Sequence, residues 1–155
     1  LEKLTSAGAV VTTIEDGIRV HMEQRPKAID VATLPYPGFP TDMQAQFMAL
    51  ATQIEGSSII NEEIFENRFL HISELVRMGA DIEIKKQKAI IKGIKNLNGA
   101  EVMATDLRAS VSLVLAALSA KGTTTINRIY HLDRGYSNLE KKLNLCGANI
   151  RRVND

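Results

Sequence analysis

The side chains best suited to chemistry in this sequence are Asp42, Asp106, Arg108 and Arg134. Asp42 and Asp106 each follow a threonine and open an apolar periodic run, in Thr41-Asp42-Met43-Gln44-Ala45 and Thr105-Asp106-Leu107-Arg108-Ala109. The first turn of a helix leaves backbone N–H groups unpaired and carries the positive end of the macrodipole. An aspartate there usually complements the helix; otherwise it is a fixed carboxylate able to take a proton from a hydroxyl. Pro35, Pro37 and Pro40 stiffen the approach to Asp42 and so fix its carboxylate, while the plainer reading of that segment is a rigid crossover without chemistry. Arg134 precedes Gly135, which permits a tight turn and close backbone approach. Its guanidinium, with that of Arg108, could grip a ligand bearing two negative groups, because the arginine fork matches carboxylate and phosphate; an ion pair with Asp133 is the alternative. Arg68, in Phe65-Glu66-Asn67-Arg68-Phe69, reads as structural, a partner for Glu66 or Asp81.

Repeated elements must position these residues. Laying Thr41 on Thr105 carries Met43, Phe47, Leu50 and Ile54 onto Leu107, Val111, Val114 and Leu118, the spacing of one helical face in each copy. Two equivalent helices are expected, each with its threonine as N-cap, and Gln44 completes a capping box in the first. A Gly-led strand follows each helix, over 56–61 and 122–127, and then a second helix ending in Gly-Ala. That ending recurs at Gly8-Ala9, Gly79-Ala80 and Gly147-Ala148, each with Leu four residues before the Gly, and a strand is expected directly after each. Asp16-Gly17 between apolar alternations predicts a type I′ hairpin, with a counterpart over 85–91. The chain then divides into the tail of one repeat (1–35), a complete repeat (41–104) and a third that stops before its hairpin (105–155). Because neither end meets a repeat boundary, it is expected to be one partial domain of a longer protein. No charged residue stands between Arg108 and Lys121, so the second repeat helix is expected to be enclosed, in an α/β architecture of central helices and small outer sheets.

Composition narrows the partners. At 155 residues, 45% hydrophobic and with a net charge of +1, the chain has globular composition and no broad field for nucleic acid or an anionic membrane. Its longest apolar run is broken by Ser110, Ser112 and Ser119 and is too short to span a bilayer. The single cysteine, Cys146, falls where the other copies place Ala7 and Met78, and reads as a small buried apolar residue. The three histidines are scattered, so no metal site is expected, and no Gly-rich phosphate loop points to a nucleotide cofactor.

Four segments, in order along the chain, resemble the signature segments of the UDP-N-acetylglucosamine 1-carboxyvinyltransferases, a branch of the enolpyruvyl transferases. They are Pro40-Thr41-Asp42-Met43-Gln44-Ala45-Gln46-Phe47, Phe65-Glu66-Asn67-Arg68-Phe69, Ala104-Thr105-Asp106-Leu107-Arg108-Ala109-Ser110, and Ile129-Tyr130-His131-Leu132-Asp133-Arg134-Gly135-Tyr136. The resemblance implies an inside-out α/β barrel of βαβαββ-type repeats, with substrates in a cleft between two such domains. It implies a cytoplasmic enzyme of peptidoglycan synthesis, without cofactor, that transfers the enolpyruvyl group of phosphoenolpyruvate to the sugar 3′-hydroxyl of UDP-N-acetylglucosamine. Asp42 then matches the carboxylate that binds the sugar and takes the hydroxyl proton. Ile64 matches a nucleotide-sugar contact through its backbone, Arg134 the phosphoenolpyruvate arginine, and Asp106 and Arg108 residues lining that pocket. The other domain, and the mobile loop bearing an acid residue, have no match in this chain. A shikimate-pathway transferase and a non-catalytic nucleotide-sugar binder are the alternatives.

Overall fold

Three helices stop in the same way, and the stops divide the chain. Ala9, Ala80 and Ala148 donate their N–H to the carbonyls of Leu4, Leu75 and Leu143, and Gly8, Gly79 and Gly147 donate to Thr5, Val76 and Asn144. These are paired Schellman bonds, and they need a left-handed residue, supplied by glycines at φ of 104°, 95° and 91°. The computed structural model describes residues 1–153. Its elements run α1 (Glu2–Ser6), β1 (Val10–Ile14), β2 (Gly17–His21), β3 (Val31–Ala32), a 3₁₀ turn (Thr41–Met43), α2 (Gln44–Ala51) and β4 (Ser57–Asn61). They continue with α3 (Ile72–Arg77), β5 (Asp81–Lys85), β6 (Lys88–Lys92), β7 (Glu101–Met103), α4 (Leu107–Ser119), β8 (Thr125–Asn127), α5 (Tyr130–Asp133) and α6 (Leu139–Leu145).

Each repeat helix is the crossover of a parallel β-α-β unit: α2 joins β3 to β4, and α4 joins β7 to β8. The sheets are β1-β2, β3-β4-β6-β5 and β7-β8, and among the described residues they do not close into a barrel. A closed inside-out barrel is therefore not seen, while the layering of helices within small outer sheets is. The β3-α2-β4-α3-β5-β6 stretch is one βαβαββ unit. In the core, Met48, Leu75, Met78, Ile91, Leu97 and Leu113 are at most 0% exposed, and α2 packs directly on α4.

Several local expectations give way. The most buried face of α2 is Gln44, Ala45, Met48, Ala49 and Ala51, while Met43 is 42% exposed, because the small residues let α2 approach α4 closely. On α4, Ala109 through Val114 are buried, a run that covers every side of the helix, while Leu115 and Leu118 stay partly open, so α4 is enclosed over its first half and opens toward its C-terminal end. The first hairpin turns on Glu15-Asp16, since Ile14 pairs with Gly17, and Gly17 is not left-handed. The glycine has become the first strand residue, so the type I′ turn on Asp16-Gly17 does not form. No strand follows Gly147-Ala148 among the described residues. Cys146 is consequently exposed. Lys27 and Asn98 donate N–H to the carbonyls of Ala7 and Met78 and so cover the two equivalent positions, whereas no such segment reaches Cys146.

Candidate active site

The two repeat helices begin differently. Asp106 is the N-cap of α4: its backbone is extended, and Oδ1 accepts from Arg108 N at 2.8 Å and Ala109 N at 3.0 Å. The neighbouring threonine does not cap, and the Thr105 hydroxyl has no partner among the described residues. At α2 the chain enters through the 3₁₀ turn, whose N-cap is Pro40, so neither Thr41 nor Asp42 caps and no capping box forms. The cause lies in the preceding loop. Residues 34–40 form a closed excursion held by Leu34 N–H to Phe39 O (2.9 Å) and Gly38 N–H to Pro35 O (2.8 Å), and they deliver Thr41 already turning.

Asp42 is thereby left with a carboxylate that its own helix does not use. Its side chain is 65% exposed, and Oδ1 accepts from Arg108 Nε at 2.5 Å and lies 3.5 Å from Arg68 Nη1. The hydrogen bond from Arg108 holds Asp42 below the usual carboxylate range; partial burial works against this, and the charges of Arg108 and Arg68 add to it. Arg68 belongs to this cluster rather than to Glu66 or Asp81. It also donates to Thr41 Oγ1 (3.2 Å), and its guanidinium sits over the Phe65 ring at 4.1 Å, which fixes its plane. Sequence reasoning missed it, because Arg68 and Asp42 meet only when β4 and the 3₁₀ turn are brought side by side.

A small cavity of about 100 Å³ opens beside the cluster, its walls including Thr41, Gln44, Arg68, His71, Asp106 and Arg108. Gln44 Nε2 and His71 Nε2 are buried without hydrogen-bond partners among the described residues. Burial lowers the His71 pKa from 6.5 to about 4, with the Asp106 charge pulling weakly the other way, so its imidazole is neutral at neutral pH. A larger, more open recess of about 470 Å³ lies at the β5–β6 tip among Lys85, Lys86 and Lys88, but it contains none of the convergent charges. Small-molecule sites typically have roughly 300 to 1,000 Å³, so the cavity by Asp42 is too small to enclose a nucleotide-sized ligand and would need a second surface.

Ile64 is half-buried, and its N–H donates to Glu62 Oε1 at 3.1 Å. Arg134 is the C-cap of α5, exposed, with no ion pair among the described residues. Asp133 is gripped instead by Arg152, at 2.7 and 2.8 Å, so the alternative pairing of Arg134 with Asp133 does not occur. Gly135 brings Arg134 toward the α4 start, since a Cβ there would lie 2.9 Å from Leu107 Cδ1. Asp42, Arg108, Arg68 and Asp106 are thus gathered at one place, Ile64 is tied to it through Glu62, and Arg134 stands nearby without contact. No helix among the described residues is long and apolar enough to cross a membrane.

Residues 1–143 match the family described as EPSP synthase (3-phosphoshikimate 1-carboxyvinyltransferase). Among solved structures, the enolpyruvyl transferase NikO from Streptomyces tendae superposes with a TM-score of 0.87 at 30% identity, over 97% of this chain and 35% of that one. EPSP synthase from Acinetobacter baumannii superposes with a TM-score of 0.72 at 15% identity, over 98% of this chain and 36% of that one, a likeness of fold. The chain spans about a third of the length of these relatives.

Proposed function

The chain belongs to the EPSP synthase family of enolpyruvyl transferases, and from that premise we propose that it contributes the acceptor-activating part of a site that transfers the enolpyruvyl group of phosphoenolpyruvate to the 3′-hydroxyl of UDP-N-acetylglucosamine. The observation that carries this reading is Asp42: an exposed carboxylate at a helix start, unused as a cap and held ionised by two arginines. Such a group is kept ionised and open to an incoming hydroxyl, the condition a general base has to meet. In the proposed reaction Asp42 takes the hydroxyl proton as the sugar oxygen adds to C2 of phosphoenolpyruvate, while C3 gains a proton from an acid outside this chain. Departure of phosphate with loss of a C3 proton then restores the double bond on the new ether. Arg134, together with Arg108, would hold the carboxylate and phosphate of phosphoenolpyruvate and offset charge in the anionic adduct. Arg108 has to share or release Asp42 when the sugar arrives, so substrate binding should loosen the 2.5 Å contact.

The sugar nucleotide is preferred to shikimate 3-phosphate because of the Phe65-Glu66-Asn67-Arg68-Phe69 and His131-to-Tyr136 segments, and because the Ile64 backbone is tied through Glu62 and Thr41 to the turn that bears Asp42. The cavity's small size fits a cleft completed by another domain, and the reaction would belong to peptidoglycan synthesis in the cytoplasm. The test is phosphate release from phosphoenolpyruvate by the full-length protein, with each acceptor in turn. Release with UDP-N-acetylglucosamine alone is the expected result. Release with shikimate 3-phosphate alone would overturn the acceptor assignment, and release with neither, despite binding of the sugar nucleotide, would indicate a non-catalytic relative.

A further inference from the structure

Glu62 is the most deeply buried carboxylate near the site, 1% exposed, and no cation touches it among the described residues. Its two oxygens divide the donors around it. Oε1 accepts from the Thr33 hydroxyl (2.8 Å) and from the N–H groups of Ile64 and Phe65 (3.1 Å each). Oε2 accepts from the Thr41 hydroxyl (2.8 Å). A carboxylate only accepts, so Thr41 must give its one hydroxyl proton to Glu62, and its lone pairs are left for Arg68 Nη1 at 3.2 Å. Arg68 in turn reaches Asp42. Glu62 therefore orients the Thr41 hydroxyl with its lone pairs toward Arg68, the arginine that also reaches Asp42, and the same group clamps the Ile64 backbone.

The other repeat shows that the fold does not require this carboxylate. Laying Asn61 on Asn127 puts Arg128 in place of Glu62, and the strand register puts Ala104 in place of Thr33. Arg128 bonds to the Tyr130 hydroxyl at 2.6 and 3.0 Å and makes no hydrogen bond to the start of α4 among the described residues. The β-α-β crossover forms in both copies, while the buried acceptor occurs only in the copy bearing Asp42. The 34–40 excursion does not need it either, being closed by its own backbone bonds.

We propose that Glu62 is a positioning residue that fixes the proton-accepting Asp42 and the Ile64 backbone contact as one unit, coupling recognition of the acceptor to its activation. This rests on the acceptor role given above to Asp42. The test compares Glu62→Gln, Glu62→Asp, Thr41→Val and Glu62→Gln/Thr41→Val in the full-length protein, with Glu83→Gln, an exposed hairpin residue, as control. An amide presents a donor on one side, so Glu62→Gln must set a donor against either Thr41 or the Thr33, Ile64 and Phe65 group. We expect acceptor kcat/KM to fall about 10- to 100-fold, with acceptor KM raised and phosphoenolpyruvate KM within two-fold of wild type. Glu62→Asp should recover part of the loss, and the double variant should lose less than the product of the single losses, because both break one chain.

A kcat lowered only in proportion to the folded fraction, with both KM values unchanged, would overturn the proposal and leave Glu62 a core residue. Both acceptors are assayed, so a wrong acceptor assignment appears in the wild type while the Glu62 effect is read on whichever acceptor works. If neither works, amide exchange decides: Ile64, Phe65 and the Thr41–Met43 turn should open together in Glu62→Gln, and opening of one without the other would sink the coupling.

Discussion

The starts of α2 and α4 have nearly the same sequence and opposite uses of their aspartate. Asp106 spends its carboxylate on two backbone N–H groups of its own helix, whereas Asp42, at the matching position, spends none and turns to Arg108 and Arg68. The difference comes from what precedes them. Ala104 runs straight into Thr105-Asp106, but the loop at 34–40 intervenes between Thr33 and Thr41 and winds the entry into a 3₁₀ turn. A repeat can thus keep a helix and free a carboxylate by inserting a loop ahead of it.

The largest test of that contrast is Asp42→Asn in the full-length protein, expected to lower turnover by about 10²- to 10⁴-fold with little change in thermal midpoint. Equal turnover would remove Asp42 from the chemistry. Next is His71, which stands in the α2 copy where Ser137 stands in the other. The folded state holds it neutral down to about pH 4 while the unfolded chain protonates near 6.5, so between those values the unfolded state binds the extra proton. Stability should therefore drop as pH falls through that window, by up to about 3 kcal/mol, and His71→Gln should remove the slope in denaturant midpoints against pH. Asp106→Ala should cost about 1 kcal/mol of stability through loss of the cap, a loss that Asp42→Ala should not reproduce. The smallest effect is a pH shift. Asp42 is held ionised below the ordinary value of 3.8, chiefly by the Arg108 hydrogen bond, so Arg108→Gln should move the acid limb of the pH–rate profile upward toward that value. An unmoved limb would mean that Asp42 does not set it.

Much of the fold could be read along the chain. Periodicity located both repeat helices, Gly-Ala located all three Schellman stops, and the Gly-led segments located β4 and β8. Cap identity was not legible, since threonine and aspartate are both good N-caps and the choice at α4 depends on one residue of register. Which face of α2 is buried was also hidden. A stripe of large apolar residues suggested Met43, Phe47, Leu50 and Ile54, of which Ile54 is fully buried, Phe47 and Leu50 are half-buried and Met43 is exposed, while the side with Ala45, Met48, Ala49 and Ala51 is the most buried part of α2. Cys146 was misjudged for a related reason, because its burial would require a covering segment from elsewhere in the chain.

The sequence by itself determined the elements, their repetition, and the four charged positions where chemistry could occur, because periodicity, caps and glycine turns are local properties of neighbouring residues. Only the tertiary structure decided that Asp42 meets Arg108 from 66 residues away, that Arg68 joins them, that Asp133 belongs to Arg152, and that a buried glutamate underlies the cluster. Those are encounters between side chains on separate strands and helices, and they exist only once α2 packs on α4 and β3 pairs with β4.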